Sequence, residues 1–152
     1  VLFRSLFSLC KKHQIHTCLD TSGCILNDEV LDLLNVTDMV LLDIKFSDKE
    51  LYHLHTKADM DTVMHFLAVL EKRNIRTWIR HVLVPDLNDS TEQLLRLKGM
   101  LQGYTCIEKV EFLPFRKLCE EKYQTLQLEF PFAKYREGNR EDIERANRIF
   151  TC

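Results

Sequence analysis

The sequence predicts an α/β fold built on a parallel sheet, and three observations carry that prediction. Four short apolar runs, residues 15–20, 39–43, 76–84 and 107–113, alternate with stretches of helical periodicity. The runs are near-continuously apolar, as expected of strands covered on both faces or curled into a barrel. The first two deliver carboxylates, Asp20 and Asp43, to their C-terminal ends, and the third holds an arginine, Arg80, in its interior. In parallel α/β folds the C-terminal strand ends are where ligands bind. The chain opens on a helix with no strand before it, which suits either an open sheet or a barrel lacking its first strands.

Leu2, Phe3, Leu6, Phe7 and Cys10 recur at helical spacing, so residues 2–13 read as a helix, with Lys11, Lys12 and His13 at its negative end. This start has no basic leader or small-residue cleavage site and is read as structure, not as a signal peptide. Asn27 is placed to cap a helix through Leu34, and Ser47 to open a short helix over Glu50–Leu54. Asp59 or Asp61 caps the next, with Val63, Phe66, Leu67 and Leu70 on its inner face. Ser90 or Thr91 caps a helix through Leu101, and Asn139 a last one through Phe150. Between them, residues 115–138 are mixed, aromatic and charged, and are expected to be irregular. Strands alternating with helices imply right-handed βαβ crossovers.

With 152 residues and 45% hydrophobic content, residues 1–152 are expected to form a single domain with a sizeable core. A net charge of −2 gives no ground for nucleic acid or an anionic membrane as partner, and no run reaches the length of a membrane span. The six cysteines, at 10, 18, 24, 106, 119 and 152, show no metal-ligand spacing. They read as free thiols of a reducing cytoplasm, with Cys18 inside a buried strand.

If the strands ending in Asp20 and Asp43 are neighbours, the two carboxylates converge, and a cation between them relieves their repulsion. Thr21 adds a hydroxyl, so these residues and nearby backbone carbonyls offer an all-oxygen cage for a hard cation. Asp20 also suits a plain turn before Gly23. Lys45 lies two residues beyond Asp43, on the same face of an extended chain, where the pair serves a ligand or makes a structural ion pair. Arg80 shares its strand face with Trp78, Val82 and Val84, which are expected to point inward. An inward guanidinium needs an anion, either a ligand carboxylate or a structural Asp or Glu. Trp78 reads as core, and His81 as an outward or packed residue. His53, His55 and His65 lack metal-ligand spacing and read as surface or core.

Four segments in order, His16–Gly23, Asp38–Lys45, Trp78–Pro85 and Val110–Phe115, resemble the pyruvate formate-lyase activating enzymes of the radical S-adenosylmethionine superfamily. The similarity runs from about residue 2 to residue 123. It implies a partial (β/α)6 barrel, here incomplete, with about four strands present and the first ones missing. It also implies a [4Fe–4S] cluster on a CxxxCxxC loop that cleaves S-adenosylmethionine reductively. The resulting radical abstracts a hydrogen from a glycine of a partner glycyl radical enzyme, here pyruvate formate-lyase, with a flavodoxin-type electron donor. By position, Asp20, Asp43 and Lys45 would surround the methionine and ribose end of the cofactor, with Arg80 on the next strand. Asp20, Thr21, Asp43 and the backbone near Leu41 match the family's monovalent-cation site.

The sequence departs from the family at three places. Ser22 replaces an asparagine in the turn, and Arg116 stands where a cofactor-contacting histidine is usual. The cluster loop and a Gly-Gly-Glu segment precede the family region that matches Val1, and neither occurs among these residues. The expectation is therefore the C-terminal two-thirds of an activase, inactive alone. Two other readings stand beside it. One is a stand-alone S-adenosylmethionine or nucleoside-binding domain using Asp43, Lys45 and Arg80. The other is a Schiff-base lyase using Lys45, against which the adjacent carboxylate counts by favouring the charged ammonium.

Overall fold

The computed structural model describes residues 2–151. Its elements are α1 (Leu2–Lys12), β1 (Cys18–Thr21), α2 (Asp28–Leu34), β2 (Met39–Asp43), α3 (Lys49–Thr56), α4 (Met60–Lys72), β3 (Arg76–Leu83), α5 (Thr91–Leu101), β4 (Ile107–Pro114), α6 (Glu120–Thr125) and α7 (Arg140–Thr151). The strands form one sheet in the order β1-β2-β3-β4. β1 pairs in parallel with β2 and β2 with β3, and the sheet does not close into a barrel.

Local chemistry explains the element ends. Asn27 accepts the Val30 N–H at 3.0 Å and Asp59 the Asp61 N–H at 2.9 Å, each satisfying a donor the helix leaves open. The cap of α3 is Asp48, not Ser47: its carboxylate accepts the Leu51 N–H at 3.0 Å. Ser90 and Gln93 form a capping box at α5: the Ser90 hydroxyl accepts the Gln93 N–H, and Gln93 accepts the Ser90 N–H, both at 3.2 Å. β1 begins at Cys18 and not at residue 15. Thr17 donates its N–H to the Asp38 side chain at 2.9 Å and its hydroxyl to the Val36 carbonyl at 2.8 Å, while its own carbonyl still accepts the Met39 N–H at 3.2 Å.

Internal contacts gather the chain into two compact units. The first runs to His81 and adds Leu101–Glu111. Its core holds Val40, Leu42, Ile79, Val63, Leu67 and Leu70, all fully buried. Each such side chain contributes about 1.5–3 kcal/mol of burial free energy. β1 is an edge strand, and Cys18 is exposed there, against the expectation of a buried position. α1 has no buried residue: Leu2, Phe3 and Leu6 of its apolar stripe face solvent, as does Leu9.

The second unit comprises Val82–Met100 and the residues from Phe112 onward. Val84, Phe115 and Phe130 are its buried aromatic-aliphatic cluster, with Tyr123, Phe132 and Tyr135 packed against it. The segment 115–138 holds one short helix, α6, and is tied down where the Gly138 N–H donates to the Phe115 carbonyl at 3.0 Å. A Cβ at Gly138 would lie 3.0 Å from the Phe115 nitrogen, so a larger residue would push that backbone away by a few tenths of an ångström. Among the described residues no helix is long and apolar enough to cross a membrane.

Candidate functional site

The parallel register builds the site. Asp43, the last residue of β2, lies opposite Arg80 of β3, and Asp20 of β1 lies opposite Leu41 of β2. Three adjacent strands therefore present their charged residues at one end of the first unit. Arg80 donates Nε–H to Asp43 Oδ1 at 2.9 Å, and its Nη2 donates to Asp20 Oδ1. Lys45 donates Nζ–H to the other oxygen of Asp43, Oδ2, at 2.6 Å. The guanidinium is thus the cation that lies between the two carboxylates. Side-chain exposure is 20% for Arg80, 19% for Asp43, 35% for Lys45 and 58% for Asp20, so the cluster is half-buried and open on the Asp20 side. Burial works against the Arg80 charge, but the hydrogen bond and charge of Asp43, then those of Asp20, outweigh it and raise its pKa.

Arg80 takes structural aspartates as partners, one of the two alternatives left open by the sequence. Its strand face, however, is the less buried one. Thr77, Ile79, His81 and Leu83 are buried, whereas Trp78, Arg80 and Val82 are only partly so. Trp78 is correspondingly not core: its Nε1–H donates to Glu108 at 3.3 Å, and the Lys109 ammonium lies 4.6 Å from its ring centre. The turn after β1 is made by Thr21, not Asp20: the Thr21 hydroxyl accepts the Gly23 N–H at 3.1 Å. Gly23 has φ +65°, and an added Cβ would stand 2.7 Å from Leu42 Cδ1. That left-handed, crowded position requires glycine.

Other residues singled out by the sequence have partners of their own. Arg116 belongs to the second unit, where it donates to the Gly138 carbonyl at 2.6 Å and lies 3.5 Å from Glu137 Oε2. His53 and His65 are exposed, and His55 stacks on Phe46 with ring centres 5.2 Å apart. Sequence reasoning gave His81 no role. It is 2% exposed, and its Nδ1 lies 2.6 Å from the carbonyl of Ile44, the residue between Asp43 and Lys45. The available signal was its place in β3, out of phase with Arg80 and between Ile79 and Leu83 on the buried face.

The donor set decides what the site suits. A zwitterionic amino-acid end pairs naturally with Arg80 and Lys45 through its carboxylate and with aspartates through its ammonium. An iron–sulfur cluster does not fit the described residues. Cys10, Cys18, Cys24, Cys106 and Cys119 are free, and no three His, Cys, Asp or Glu side chains gather to hold a metal ion. Cys152 lies outside the described residues. For the oxygen cage at Asp20, Thr21, Leu41 and Asp43, the positive charge present is that of Arg80 and Lys45.

Known proteins are similar to this chain in sequence and in fold. The chain is 34% identical over 148 residues to the pyruvate formate-lyase 1-activating enzyme of Escherichia coli K12, covering 96% of this chain and 60% of that protein. It is 35% identical over 144 residues to the pyruvate formate-lyase-activating enzyme of Clostridium pasteurianum, covering 95% and 59%. The chain thus spans about 60% of the length of these relatives. Its fold matches a crystal structure of a domain of a pyruvate-formate lyase-activating enzyme from Bacteroides vulgatus, with a TM-score of 0.77 at 15% identity, over 97% of this chain and 82% of that one. Streptococcus suis SuiB shares the fold with a TM-score of 0.74 at 14% identity, over 97% of this chain and 32% of that one. The profile of the radical SAM superfamily matches residues 2–97, the stretch that carries Asp20, Asp43, Lys45 and Arg80, and the chain belongs to that superfamily.

Proposed function

We propose that this chain is the S-adenosylmethionine-receiving part of a glycyl-radical-enzyme activase, and that within a protein of its relatives' length it serves the activation of pyruvate formate-lyase in the cytoplasm. One observation carries the reading: Arg80 bridges Asp20 and Asp43, with Lys45 on Asp43, at the ends of three adjacent parallel strands. The family membership and the relatives' names support it. In this reading Arg80 and Lys45 turn from their aspartates to the cofactor carboxylate. Asp43 and Asp20 accept from its ammonium and ribose hydroxyls. Binding then exchanges one set of charge-assisted hydrogen bonds for another, and the half-buried setting strengthens them relative to water. S-adenosylmethionine held by these residues would supply, on one-electron cleavage that releases methionine, the adenosyl group that leaves as 5′-deoxyadenosine with a hydrogen atom from a glycine of the partner. The electron donor is of flavodoxin type. A monovalent cation on Asp20, Thr21, Asp43 and the Leu41 carbonyl belongs to the same proposal.

Titration calorimetry with S-adenosylmethionine tests it. The wild-type chain is expected to bind, and Lys45→Ala to weaken binding about tenfold, the worth of one hydrogen bond to a charged group. Absence of heat at millimolar ligand would overturn the reading. The Lys45–Asp43 contact at 2.6 Å engages the Lys45 nitrogen in an ion pair and so counts against a Schiff-base role for it.

A further inference from the structure

Asp43 and Lys45 serve one ligand only if the backbone between them is held straight where β2 ends. The last registered pair of β2 and β3 is Asp43 with Arg80. One further backbone bond follows, from the Ile44 N–H to the Arg80 carbonyl at 3.0 Å. Next, the His81 side chain reaches the Ile44 carbonyl at 2.6 Å. A carbonyl only accepts, so Nδ1 is the donor and carries the proton. Ile44 itself is fully buried, so its side chain anchors the same residue in the core. The residue between the two charged side chains is therefore fixed at its N–H, its carbonyl and its side chain. Two of those three ties lead to consecutive residues of β3, and the first of these is Arg80.

We infer that His81 is a positioning residue: through Nδ1 it extends the grip of β3 on β2 one residue beyond the registered pairs and fixes Asp43 and Lys45 on one face toward Arg80. The inference rests on the reading that this segment receives the cofactor. A hydrogen bond in this protected place resists local opening of the segment, which otherwise lies at the frayed end of a strand.

Two conservative variants separate this role from simple filling of the core. The side-chain nitrogen of asparagine sits where Nδ1 does, and that of glutamine where Nε2 does. His81→Asn is expected to keep the Ile44 amide exchanging with deuterium within about threefold of wild type. His81→Gln is expected to speed it about tenfold, one hydrogen bond's worth. The Leu67 and Leu70 amides in the core of α4 report global stability and should change less than the Ile44 amide in His81→Gln. S-adenosylmethionine affinity is expected to follow the Ile44 amide, near wild type for His81→Asn and about tenfold weaker for His81→Gln. Equal behaviour of the two variants, or Ile44 exchange that merely tracks Leu67 and Leu70, would overturn the inference. In the wild-type protein, nitrogen NMR of the imidazole must show the proton on Nδ1, and a proton on Nε2 alone would also overturn it. If wild type binds no cofactor while the amide pattern holds, the cofactor reading fails and the positioning of the segment stands.

Discussion

Arg80 and Arg136 each hold an aspartate, and the ways they do so differ. In the second unit Arg136 grips Asp142 with two parallel bonds, Nη1 to Oδ2 at 2.8 Å and Nη2 to Oδ1 at 2.7 Å. Asp142 also accepts the Asn139 N–H at 2.8 Å, and Asn139 accepts the Asp142 N–H at 3.1 Å, closing a capping box at α7. The carboxylate is buried and fully engaged by neighbours at most six positions away. In the first unit Arg80 divides its guanidinium between two aspartates that come from other strands, 37 and 60 positions away. One of them, Asp20, keeps 58% of its side chain exposed. A saturated local fork holds a fold together, whereas a divided, long-range and open one leaves donors and acceptors that a ligand can claim.

The comparison can be broken by substitution. Arg80→Ala should have the largest effect, lowering S-adenosylmethionine affinity about a hundredfold by calorimetry, since two charge-assisted bonds are lost. The equivalent change Arg136→Ala should leave that affinity within twofold of wild type. Stability should answer the other way. Asp142→Ala removes both a cap and a bidentate acceptor and is expected to cost about 2 kcal/mol in urea unfolding. Asp20→Asn should cost less than about 0.5 kcal/mol, because exposed ion pairs contribute little.

Acid sharpens the contrast further. The hydrogen bonds from Arg136 hold Asp142 down at about 2. Those from Lys11, then the Thr17 N–H, hold Asp38 there as well. Both lie below the ordinary aspartate value, so the unfolded chain takes up protons first. Their stabilisation is complete above about pH 4 and is lost as pH falls toward 2, and Asp142→Asn should flatten that acid limb in pH-dependent urea melts.

Much of the architecture was legible because its causes are local. Asn27, Asp59 and Asn139 announce their helices through side chains that reach amides two or three residues on. The approach of Asp20 and Asp43 was legible only on the condition that their strands are neighbours, which the strand order meets. What escaped notice depends on distant partners. The late start of β1 is set by Asp38 taking the Thr17 amide, a contact that leaves no periodic trace. The exposure of Cys18 follows from the edge position of β1, which strand order alone decides. The two aspartates of Arg80, and the Ile44 carbonyl beneath His81, become visible only once β1, β2 and β3 are laid side by side.

Gly23 ties the charged end of β1 to the interior. Its backbone occupies space that a methyl group would contest with Leu42 and the Phe66 ring, so the turn after Thr21 is shaped by α4 and β2 as much as by its own residues. Redesign of the loop between Thr21 and Asn27 for another ligand therefore has a fixed pivot. Residues beyond Gly23 are open to exchange, whereas moving the pivot itself means recarving Leu42 and Phe66 to make room.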